Sequence, residues 1–369
     1  MEKNDTHFMK LAVKEARKGL GRTSPNPAVG AVIVKEGRVV ASGFHKQAGM
    51  PHAEVEAFRK VGNRAPGATL YVTLEPCNHH GKTPPCTELI LKSGVKRVVV
   101  GMRDPNPLVT GGGCDYLEKK GLEVVTGILE DECIRLNEAF TKFITTGRPF
   151  VIAKSAITLD GWTATSAHHS QWITNEKSRH FVHRLRDRVD AVLMGIGTVL
   201  ADDPAMTARL GAKKGKDPTR IVVDTNFRTP AGAKVMKHDS TAPTIIATSV
   251  EGNRSRPDRG KHPKGVETLV CPKQGDKLDL NWLMDKLGEM SITSILVEGG
   301  SMILGAMIRA QLIDKFYVFI APKILGGGDG IPMAAGAGPK TMDDSLGLKD
   351  TSVRRFGDDV LICGYPKYQ

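Results

Sequence analysis

The sequence has few aromatic residues and no long apolar run. Aromatic side chains make up 5% of the 369 residues, which leaves little material for the base-stacking platforms of proteins that bind single-stranded nucleic acid. No apolar run approaches the roughly 20 residues that a membrane-spanning helix needs. The first residues are polar and an amphipathic stretch follows them, whereas a secretory signal peptide has a continuous apolar segment. We therefore expect a cytoplasmic protein that does not enter a membrane.

Cysteine is also scarce. Six cysteines in a chain of this length do not form a disulfide scaffold. Four are scattered along the chain and are expected to be buried structural thiols: Cys114, Cys133, Cys271 and Cys363. The other two, Cys77 and Cys86, share a segment rich in histidine and proline. Their thiols stay available only in a reducing compartment, which agrees with the cytoplasm.

Positive charge is in excess. The 52 basic and 40 acidic residues give a formal net charge of +12, which is typical either of nucleic-acid binding or of sites for small phosphorylated ligands. Aromatic residues are few, and outside residues 179–188 the basic side chains alternate with acidic ones. The composition therefore favours small anions. The length, with 40% hydrophobic and 25% charged residues, predicts two globular domains.

The first part of the chain alternates between strand and helix patterns. A strand pair that turns at Glu36-Gly37, followed by alternating helices and strands, indicates an α/β sandwich. The predicted helices cover residues 8–18, 85–94 and 131–143, with another starting near 51; the predicted strands cover 28–34, 38–43, 69–74 and 95–100.

Breaker residues at 145–149 mark the domain boundary, which predicts domains over residues 1–146 and 147–369. The second domain also alternates, so a second α/β fold is expected. Its predicted strands are 150–156, 190–194, 220–224, 244–248, 292–297 and 315–320, its helices 176–188, 279–289 and 301–310, and its surface loops 250–278 and 325–350.

The strongest local pattern is His52-Ala53-Glu54 followed by Cys77 and Cys86. One imidazole and two thiolates suit zinc and leave a fourth position for water, which is the catalytic arrangement. Glu54 lies two residues from His52 and so points to another face of a helix, as suits an acid/base residue. This is the pattern of the zinc deaminases, in which the glutamate moves protons and does not bind the metal.

Alternatives to this interpretation stay open. Eight residues separate Cys77 from Cys86, whereas the zinc-deaminase signature has two. The site could be a structural zinc site, or the two cysteines could be buried thiols that bind no metal. His79 and His80 could compete as ligands.

A series of separated segments closely resembles one family, the bacterial bifunctional riboflavin-biosynthesis deaminase/reductases. The resemblance runs in order along nearly the whole chain. The matching segments are Pro25-Asn26-Pro27-Ala28-Val29-Gly30, His52-Ala53-Glu54, residues 77–86, Asp104-Pro105-Asn106-Pro107, Lys154-Ser155-Ala156, Leu159-Asp160-Gly161, residues 170–174, residues 198–204, Val297-Glu298-Gly299-Gly300 and Ala321-Pro322-Lys323.

For the first domain, the resemblance implies a cytidine-deaminase-like α/β/α sandwich. It implies zinc on His52, Cys77 and Cys86, and Glu54 as the catalytic proton carrier. The reaction implied is hydrolysis of the 2-amino group of 2,5-diamino-6-ribosylamino-4(3H)-pyrimidinone 5′-phosphate. By the same resemblance, the substrate pocket is lined by Asn26, His45, His79 and Lys82. Without the family match, these four would be ordinary turn, buried or surface residues.

For the second domain, the resemblance implies a dihydrofolate-reductase-like fold that binds NADPH. Neither Gly195-Ile196-Gly197 nor Glu298-Gly299-Gly300 matches the G-x-G-x-x-G fingerprint, which disfavours a Rossmann domain. The implied cofactor contacts are Ala156, Trp172, Thr198, Asp202, Thr225, Gly300, Ser301, Met302, Ile303, Leu304, Gly305 and Ala306. The implied substrate contacts are Ser170, Arg186, Met206, Arg209 and Glu298.

The implied reaction is hydride transfer from NADPH to C1′ of the substrate, which opens the ribosyl group to a ribityl chain. Arg186 and Arg209 suit a phosphate, since guanidinium groups bind it bidentately; alternatively, Arg186 belongs to a solvated basic helix. Lys154 is the expected catalytic group, with Asp202 as the other candidate. Arg228 is a candidate for selecting NADPH over NADH.

Two other functions fit part of the pattern. A base-editing enzyme would use the basic second domain to grip nucleic acid, but its motifs would then have no explanation. A structural zinc module would leave Glu54 without a catalytic role. We therefore expect a phosphorylated pyrimidine and NADPH as ligands, no nucleic-acid or membrane partner, and assembly as a homo-oligomer.

Overall fold

A computed structural model describes residues 2–78, 84–107, 112–211, 215–237, 240–255 and 263–368. The chain divides into two compact units, Met1–Gly147 and Arg148–Gln369. None of the helices within the described ranges is both long and apolar enough to cross a bilayer.

The first unit is built on a five-stranded sheet with the order β2-β1-β3-β4-β5. β1 pairs antiparallel with β2 and β3, whereas β3, β4 and β5 run parallel. The elements are α1 (Glu2–Ala16), β1 (Gly30–Lys35), β2 (Arg38–Phe44), α2 (Ala53–Arg59), β3 (Thr69–Leu74), α3 (Cys86–Ser93), β4 (Arg97–Met102), α4 (Gly113–Lys119), β5 (Glu123–Thr126), α5 (Glu130–Leu136) and α6 (Glu138–Thr146).

Both faces of this sheet are covered, because alternate residues of a strand point to opposite sides. Leu70 and Val72 of β3 pack with α2, α3 and α4, whereas Tyr71 between them packs with α1 and Cys133 of α5. The predicted α/β/α sandwich is therefore confirmed. The hairpin turns at Glu36-Gly37 as predicted, and both residues have positive φ angles, 49° and 74°.

The single helix predicted over residues 131–143 is wrong. The structure has α5 and α6, broken at Asn137, which is 3% exposed. Its side chain leaves the helical pattern to bind the backbone of Ala28: Oδ1 accepts from the amide at 2.8 Å and Nδ2 donates to the carbonyl at 3.1 Å. The Asn137 side chain thus provides hydrogen-bond partners for the backbone amide and carbonyl of Ala28, which would otherwise be buried without one.

The second unit has a nine-stranded sheet of order β11-β10-β9-β8-β14-β6-β15-β18-β17. Neighbouring strands from β11 to β15 in this order pair parallel. β18 pairs antiparallel with both of its neighbours, β15 and β17. The strands are β6 (Phe150–Thr158), β7 (Trp162–Ala164), β8 (Ala191–Gly195), β9 (Thr219–Val223), β10 (Thr244–Thr248), β11 (Val266–Val270), β12 (Lys273–Gln274), β13 (Lys277–Leu278), β14 (Ser294–Val297), β15 (Lys315–Ala321), β16 (Ile331–Pro332), β17 (Gly347–Phe356) and β18 (Asp359–Lys367). The helices are α7 (Glu176–Arg186), α8 (Ile196–Asp202), α9 (Val250–Arg254), α10 (Leu280–Glu289) and α11 (Ser301–Arg309).

Helices cover both faces of the large sheet as well. Leu193 of β8 packs in a core with α10 and α11, whereas Val192 packs in a second core with α7 and α8. Two predicted loops are wrong in part: residues 250–278 contain α9, β11, β12 and β13, and residues 325–350 contain β16 and the start of β17. Their Gly, Pro and Lys content hid these short elements: β11 and β17 pair within the large sheet, β12 pairs with β13, and β16 pairs with β7.

Candidate metal centre and reductase site

The three predicted metal ligands come from separate places in the first unit. His52 occupies the position before the first residue of α2, Cys86 is the first residue of α3, and Cys77 lies three residues beyond the end of β3. Helix N-termini favour negative charge, which suits a metal-bound thiolate at Cys86. Without a metal, the hydrogen bond that Cys86 donates to Cys77, together with burial, raises the pKa of Cys86. The fold thus positions ligands that are 34 residues apart in sequence.

These three side chains converge into one cluster. His52 Nδ1 lies 3.5 Å from Cys77 Sγ and 3.4 Å from Cys86 Sγ, and the three ligand atoms lie within 4.8 Å of one another. Cys86 donates hydrogen bonds to Cys77 Sγ from its side chain and, at 3.3 Å, from its backbone amide. These bonds, with the one from His52, hold the pKa of Cys77 well below its usual range. One imidazole and two thiols fit the ligand set of a catalytic zinc site.

Glu54 lies beside this cluster and is 3% exposed. Burial, together with the charge of Cys77, raises its pKa to about 7. A carboxyl group with a pKa near neutrality can both accept and release a proton under physiological conditions. Glu54 lies on α2, two residues after His52. The sequence predicted that this spacing keeps the acid/base residue apart from the metal ligand.

Two of the predicted substrate residues adjoin the metal cluster. The Asn26 side chain donates to His45 Nε2 at 3.2 Å, and His45 Nδ1 donates to the Pro51 carbonyl at 3.0 Å. The rings of His45 and His52 meet edge to face at 5.5 Å. His79, His80 and Lys82 lie outside the described residues.

Glu75 is a residue of this site to which the sequence assigned no role. It is 7% exposed, and each carboxylate oxygen accepts a backbone hydrogen bond: from Asp104 N at 3.0 Å and from Cys114 N at 2.9 Å. It therefore ties the segment before Cys77 to the turn after β4 and to the start of α4. An acid directly before a Pro-Cys ligand segment is the only signal in the sequence that could have found it.

In the second unit, Arg186 and Glu298 form a buried ion pair. Arg186 Nε donates to Oε1 of Glu298 at 2.5 Å and Nη2 donates to Oε2 at 2.9 Å. Burial raises the pKa of Glu298, but the charge and hydrogen bonds of Arg186 outweigh it and hold the pKa below its usual range. Burial lowers the pKa of nearby Lys154, and Arg186 lowers it further, whereas Glu298 opposes the shift.

A third Arg186 contact ties this pair to the loop that carries two more predicted substrate residues. Arg186 Nη1 donates to the Thr207 carbonyl at 3.0 Å. The side chain of Met206 is packed in the core, so only its backbone is available to a ligand. Arg209 is exposed, and its amide lies 3.2 Å from Nδ1 of His183, a residue that the sequence analysis missed. Burial and nearby Arg186 and Arg209 lower the pKa of His183 to about 4.

The predicted cofactor contacts lie in strands, helices and loops of the second unit. Ala156 is in β6, Thr198 in α8 after β8, and Thr225 after β9, whereas residues 300–306 begin α11 after β14. Ser170 Oγ donates to Asp202 Oδ1 at 3.4 Å. The ring of Trp172 is stacked by Arg179, whose guanidinium lies 4.5 Å from the ring centroid.

The start of α11 is suited to a diphosphate. Gly300 immediately precedes the helix, and a Cβ atom there would come 2.9 Å from Thr198 Oγ1. Ser301 Oγ is buried and has no hydrogen-bond partner within the described part of the chain. Backbone amides at a helix N-terminus, approached closely because of glycine, bind phosphate groups. These residues therefore fit a dinucleotide.

Comparisons with known proteins show the family of each unit. Residues 149–362 match the family described as the RibD C-terminal domain, and residues 2–102 match the cytidine and deoxycytidylate deaminase zinc-binding region. The chain is 44% identical to riboflavin biosynthesis protein RibD of Aquifex aeolicus, over 97% of each chain. The chain belongs to the RibD family. The Escherichia coli RibD protein is 40% identical, over 97% of this chain and 98% of that protein.

Solved RibD structures share the fold over the full length. A Thermotoga maritima structure, titled as a diaminohydroxyphosphoribosylaminopyrimidine deaminase and 5-amino-6-(5-phosphoribosylamino)uracil reductase, has a TM-score of 0.88 and 39% identity and covers 99% of each chain. Acinetobacter baumannii RibD has a TM-score of 0.87 and 36% identity over 100% of each chain. The predicted family and fold class are confirmed. The chain is a bifunctional enzyme of riboflavin biosynthesis, a deaminase and a reductase.

Proposed function

We propose that the chain catalyses two consecutive steps on one phosphorylated pyrimidine. Residues 1–146 hydrolyse the 2-amino group of 2,5-diamino-6-ribosylamino-4(3H)-pyrimidinone 5′-phosphate. Residues 147–369 then reduce the ribosyl group with NADPH to give 5-amino-6-ribitylamino-uracil 5′-phosphate. The observation that carries the proposal is the convergence of His52, Cys77 and Cys86 beside the buried acid Glu54.

In the deamination, Glu54 moves the protons. Zinc held by His52, Cys77 and Cys86 would activate water at neutral pH. Glu54 would take a proton from the attacking water and pass it to a ring nitrogen as the oxygen adds to C2. It would then take the remaining proton of the added hydroxyl group and give it to the departing amine, so that ammonia leaves and C2 keeps the oxygen. Its burial excludes bulk water from this proton transfer.

The substrate contacts of the deaminase are assigned to four residues. The ring of His45 lies against His52, and the hydrogen bond between Asn26 and His45 orients both side chains; these contacts support their assignment. His79 and Lys82, outside the described residues, complete the proposed pocket. Lys82 would bind the substrate phosphate as a point charge.

In the reduction, NADPH supplies the hydride that goes to C1′ of the substrate. The ring oxygen of the sugar leaves C1′ and needs a proton, which Lys154 donates. Lys154 is the better of the two candidates because it lies on β6 next to the Arg186–Glu298 pair. Asp202 instead accepts a hydrogen bond from Ser170. Ser170, Arg186, Met206, Arg209 and Glu298 are assigned to the substrate.

The decisive experiment follows ammonia release and NADPH loss separately. Wild type, Glu54→Ala and zinc-stripped protein are given the diamino substrate, and then the already deaminated one. Glu54→Ala is expected to stop ammonia release and to leave reduction of the deaminated substrate intact. Loss of both reactions in a folded Glu54→Ala protein would contradict the two-site proposal. Deamination of tRNA or single-stranded DNA would instead favour a base-editing enzyme.

A matched variant tests the second site. Lys154→Met is expected to stop NADPH oxidation while ammonia release continues at the wild-type rate. Lys340→Met, at an exposed position before β17, is the control for loss of a lysine. If Lys154→Met reduces the substrate normally, the proton comes from another group.

We further propose a cytoplasmic homo-oligomer. The thiols of the metal cluster need a reducing compartment. β17 is an outer strand of the large sheet and eight of its ten residues are exposed, and such a strand has backbone groups available for pairing with a second copy. Analytical ultracentrifugation of the zinc-loaded protein tests the assembly, and a single species of monomer mass would contradict it.

A further inference from the structure

The turn after β9 is held rigidly at both ends. At one end, the carbonyl of Thr225 accepts hydrogen bonds from Ser249 N at 3.1 Å, Ser249 Oγ at 2.9 Å and Thr248 Oγ1 at 3.2 Å. At the other end, Thr229 donates to Asp224 Oδ2 from its amide at 2.7 Å and from its hydroxyl at 2.8 Å. Five hydrogen bonds therefore fix a turn of only a few residues.

Arg228 is the cation that this turn presents to solvent. Its neighbour Phe227 is buried and anchors the turn in the core. Arg228 itself is exposed, and within the described ranges it takes part in no hydrogen bond and no ion pair. Asp224 does not reach the surface, since it is 0% exposed and its Oδ2 is bound by Thr229. The structure thus fixes the turn that carries Arg228, and within the described residues no protein anion pairs with its guanidinium.

The order of the strands places this turn relative to the reaction. The carboxyl ends of β9, β8, β14 and β6 lie side by side in that order along one edge of the sheet. Lys154 is on β6 and Glu298 follows β14, so the end of the cofactor that gives up hydride belongs there. Residues 300–306 after β14 would hold the diphosphate.

The opposite end of the cofactor must then lie towards β9. Three strand spacings of about 4.8 Å put the end of β9 roughly 14 Å from β6. Beyond the diphosphate, an extended dinucleotide continues with its adenosine, so Thr225 and Arg228 are placed at the adenosine ribose. NADPH differs from NADH only in the 2′-phosphate of that ribose.

We propose that Arg228 binds the 2′-phosphate and thereby determines the preference of the reductase for NADPH. This inference rests on the proposed reductase function and assigns it a specificity residue. A guanidinium matches phosphate geometry with two parallel hydrogen bonds, and dinucleotide sites that accept NADP commonly use an arginine at the ribose. The five hydrogen bonds fix the backbone position of the turn that carries Arg228 before the cofactor binds.

The test compares both cofactors in the zinc-loaded, full-length protein with deaminated substrate. Arg228→Ala is expected to raise the KM for NADPH about 10–100-fold, with kcat and the KM for NADH within about twofold of wild type. Arg228→Lys is expected to lie between, because an ammonium keeps the charge and loses the bidentate geometry. Arg64→Ala, at an exposed position of the first unit after α2, is the control for removing one positive charge.

Inhibition by adenosine nucleotides provides a second readout, which does not require comparing the reaction rates with NADPH and NADH. Adenosine 2′,5′-bisphosphate is expected to inhibit wild type more strongly than 5′-AMP, and Arg228→Ala should abolish that difference. An unchanged NADPH KM in Arg228→Ala, or an equal loss with NADPH and NADH, would overturn the assignment. If wild type oxidises neither cofactor, the proposed reductase function itself is wrong.

Discussion

Arg186 and Glu298 face each other through two parallel hydrogen bonds, with only 12% and 4% of their side chains exposed. Removing one member of a buried ion pair costs about 3–5 kcal/mol, because the remaining charge is buried without its partner. Arg186→Met is therefore expected to lower the free energy of unfolding of the second unit by that amount. The double variant Arg186→Met/Glu298→Leu should lose less, since neither charge is left.

Urea unfolding followed by tryptophan fluorescence measures this effect. All three tryptophans, Trp162, Trp172 and Trp282, lie in the second unit, so the signal reports on that unit. Both variants should lose NADPH oxidation and keep ammonia release. A single variant as stable as wild type would show that the pair does not hold the unit together.

The Glu75 carboxylate gives a prediction about metal affinity. Glu75→Gln keeps the size of the side chain, but one of the two backbone amides, Asp104 N or Cys114 N, would then face an NH₂ group that cannot accept its hydrogen bond. Loss of such support around a ligand typically weakens metal binding about 10–100-fold. We expect zinc affinity, measured by competition with a chromogenic chelator, to fall within that range.

Glu88→Gln is the matched control for this measurement. Glu88 accepts a hydrogen bond from the Tyr116 hydroxyl at 2.7 Å, which an amide oxygen can also accept. Its zinc affinity should equal that of wild type. If Glu75→Gln also binds zinc like wild type, Glu75 only fills space.

The buried Asp5 makes the first unit sensitive to acid. Arg97 donates to both of its carboxylate oxygens, at 2.7 and 2.9 Å, and the Tyr71 hydroxyl donates at 2.7 Å. The Arg97 hydrogen bonds hold the pKa of Asp5 below its usual range. Because the folded-state pKa lies below the unfolded value of about 3.9, this stability is present above that value and is lost as pH falls through the folded pKa.

Hydrogen exchange of the β3 amides between pH 6 and pH 3 measures the effect. Asp5→Asn should exchange faster than wild type at pH 6, and the difference should shrink towards pH 3. Asp115→Asn is the control, since Asp115 pairs with Arg103 at 2.9 Å in an exposed position, where an ion pair contributes little. Loss of zinc in acid affects both variants alike. If the difference in exchange rate between Asp5→Asn and wild type is the same at every pH, the prediction is wrong.

Asn137 supports the substrate side of the deaminase from a distance. Asn137→Ala leaves the amide and the carbonyl of Ala28 without their partners, at a cost of about 1–3 kcal/mol for each buried group. Ala28 follows Pro25, Asn26 and Pro27, so we expect a higher KM for deamination as well as a lower melting temperature. Asn137→Asp keeps the acceptor for the amide and should show a smaller effect on both. Equal effects of the two variants would contradict this account.

The elements that the sequence predicted are those whose signals are local. α3 is bounded by residues that typically flank a helix. Pro85 precedes it, and Gly94 ends it with a φ of 78°. The alternation of apolar residues over 69–74 fits a strand that is buried on both faces. The His52, Cys77 and Cys86 cluster was predictable for a similar reason, because few residue types bind zinc and their combination with Glu54 is rare by chance.

What the sequence could not predict depends on contacts between distant segments. The break at Asn137 follows from its pairing with Ala28, 109 residues earlier. The contact between Arg186 and Glu298 spans 112 residues; read locally, Arg186 belongs to a basic helix. The partners of Glu75 could not be predicted either, since they are the backbone amides of Asp104 and Cys114, which any residue could supply. β11 and β16 likewise form by pairing with strands from other parts of the chain, β10 and β7.

The division of the chain after Gly147 has a consequence for biosynthesis of the enzyme. Each unit is one continuous stretch of chain, and all of the described metal ligands precede the boundary. Because domains generally fold as units, N-terminal first, during synthesis, the deaminase half can fold and take up its metal while the ribosome is still translating the reductase half. Metal delivery and assembly of the second sheet are then separate events in time. A defect in the second half would leave a folded, zinc-loaded first half behind.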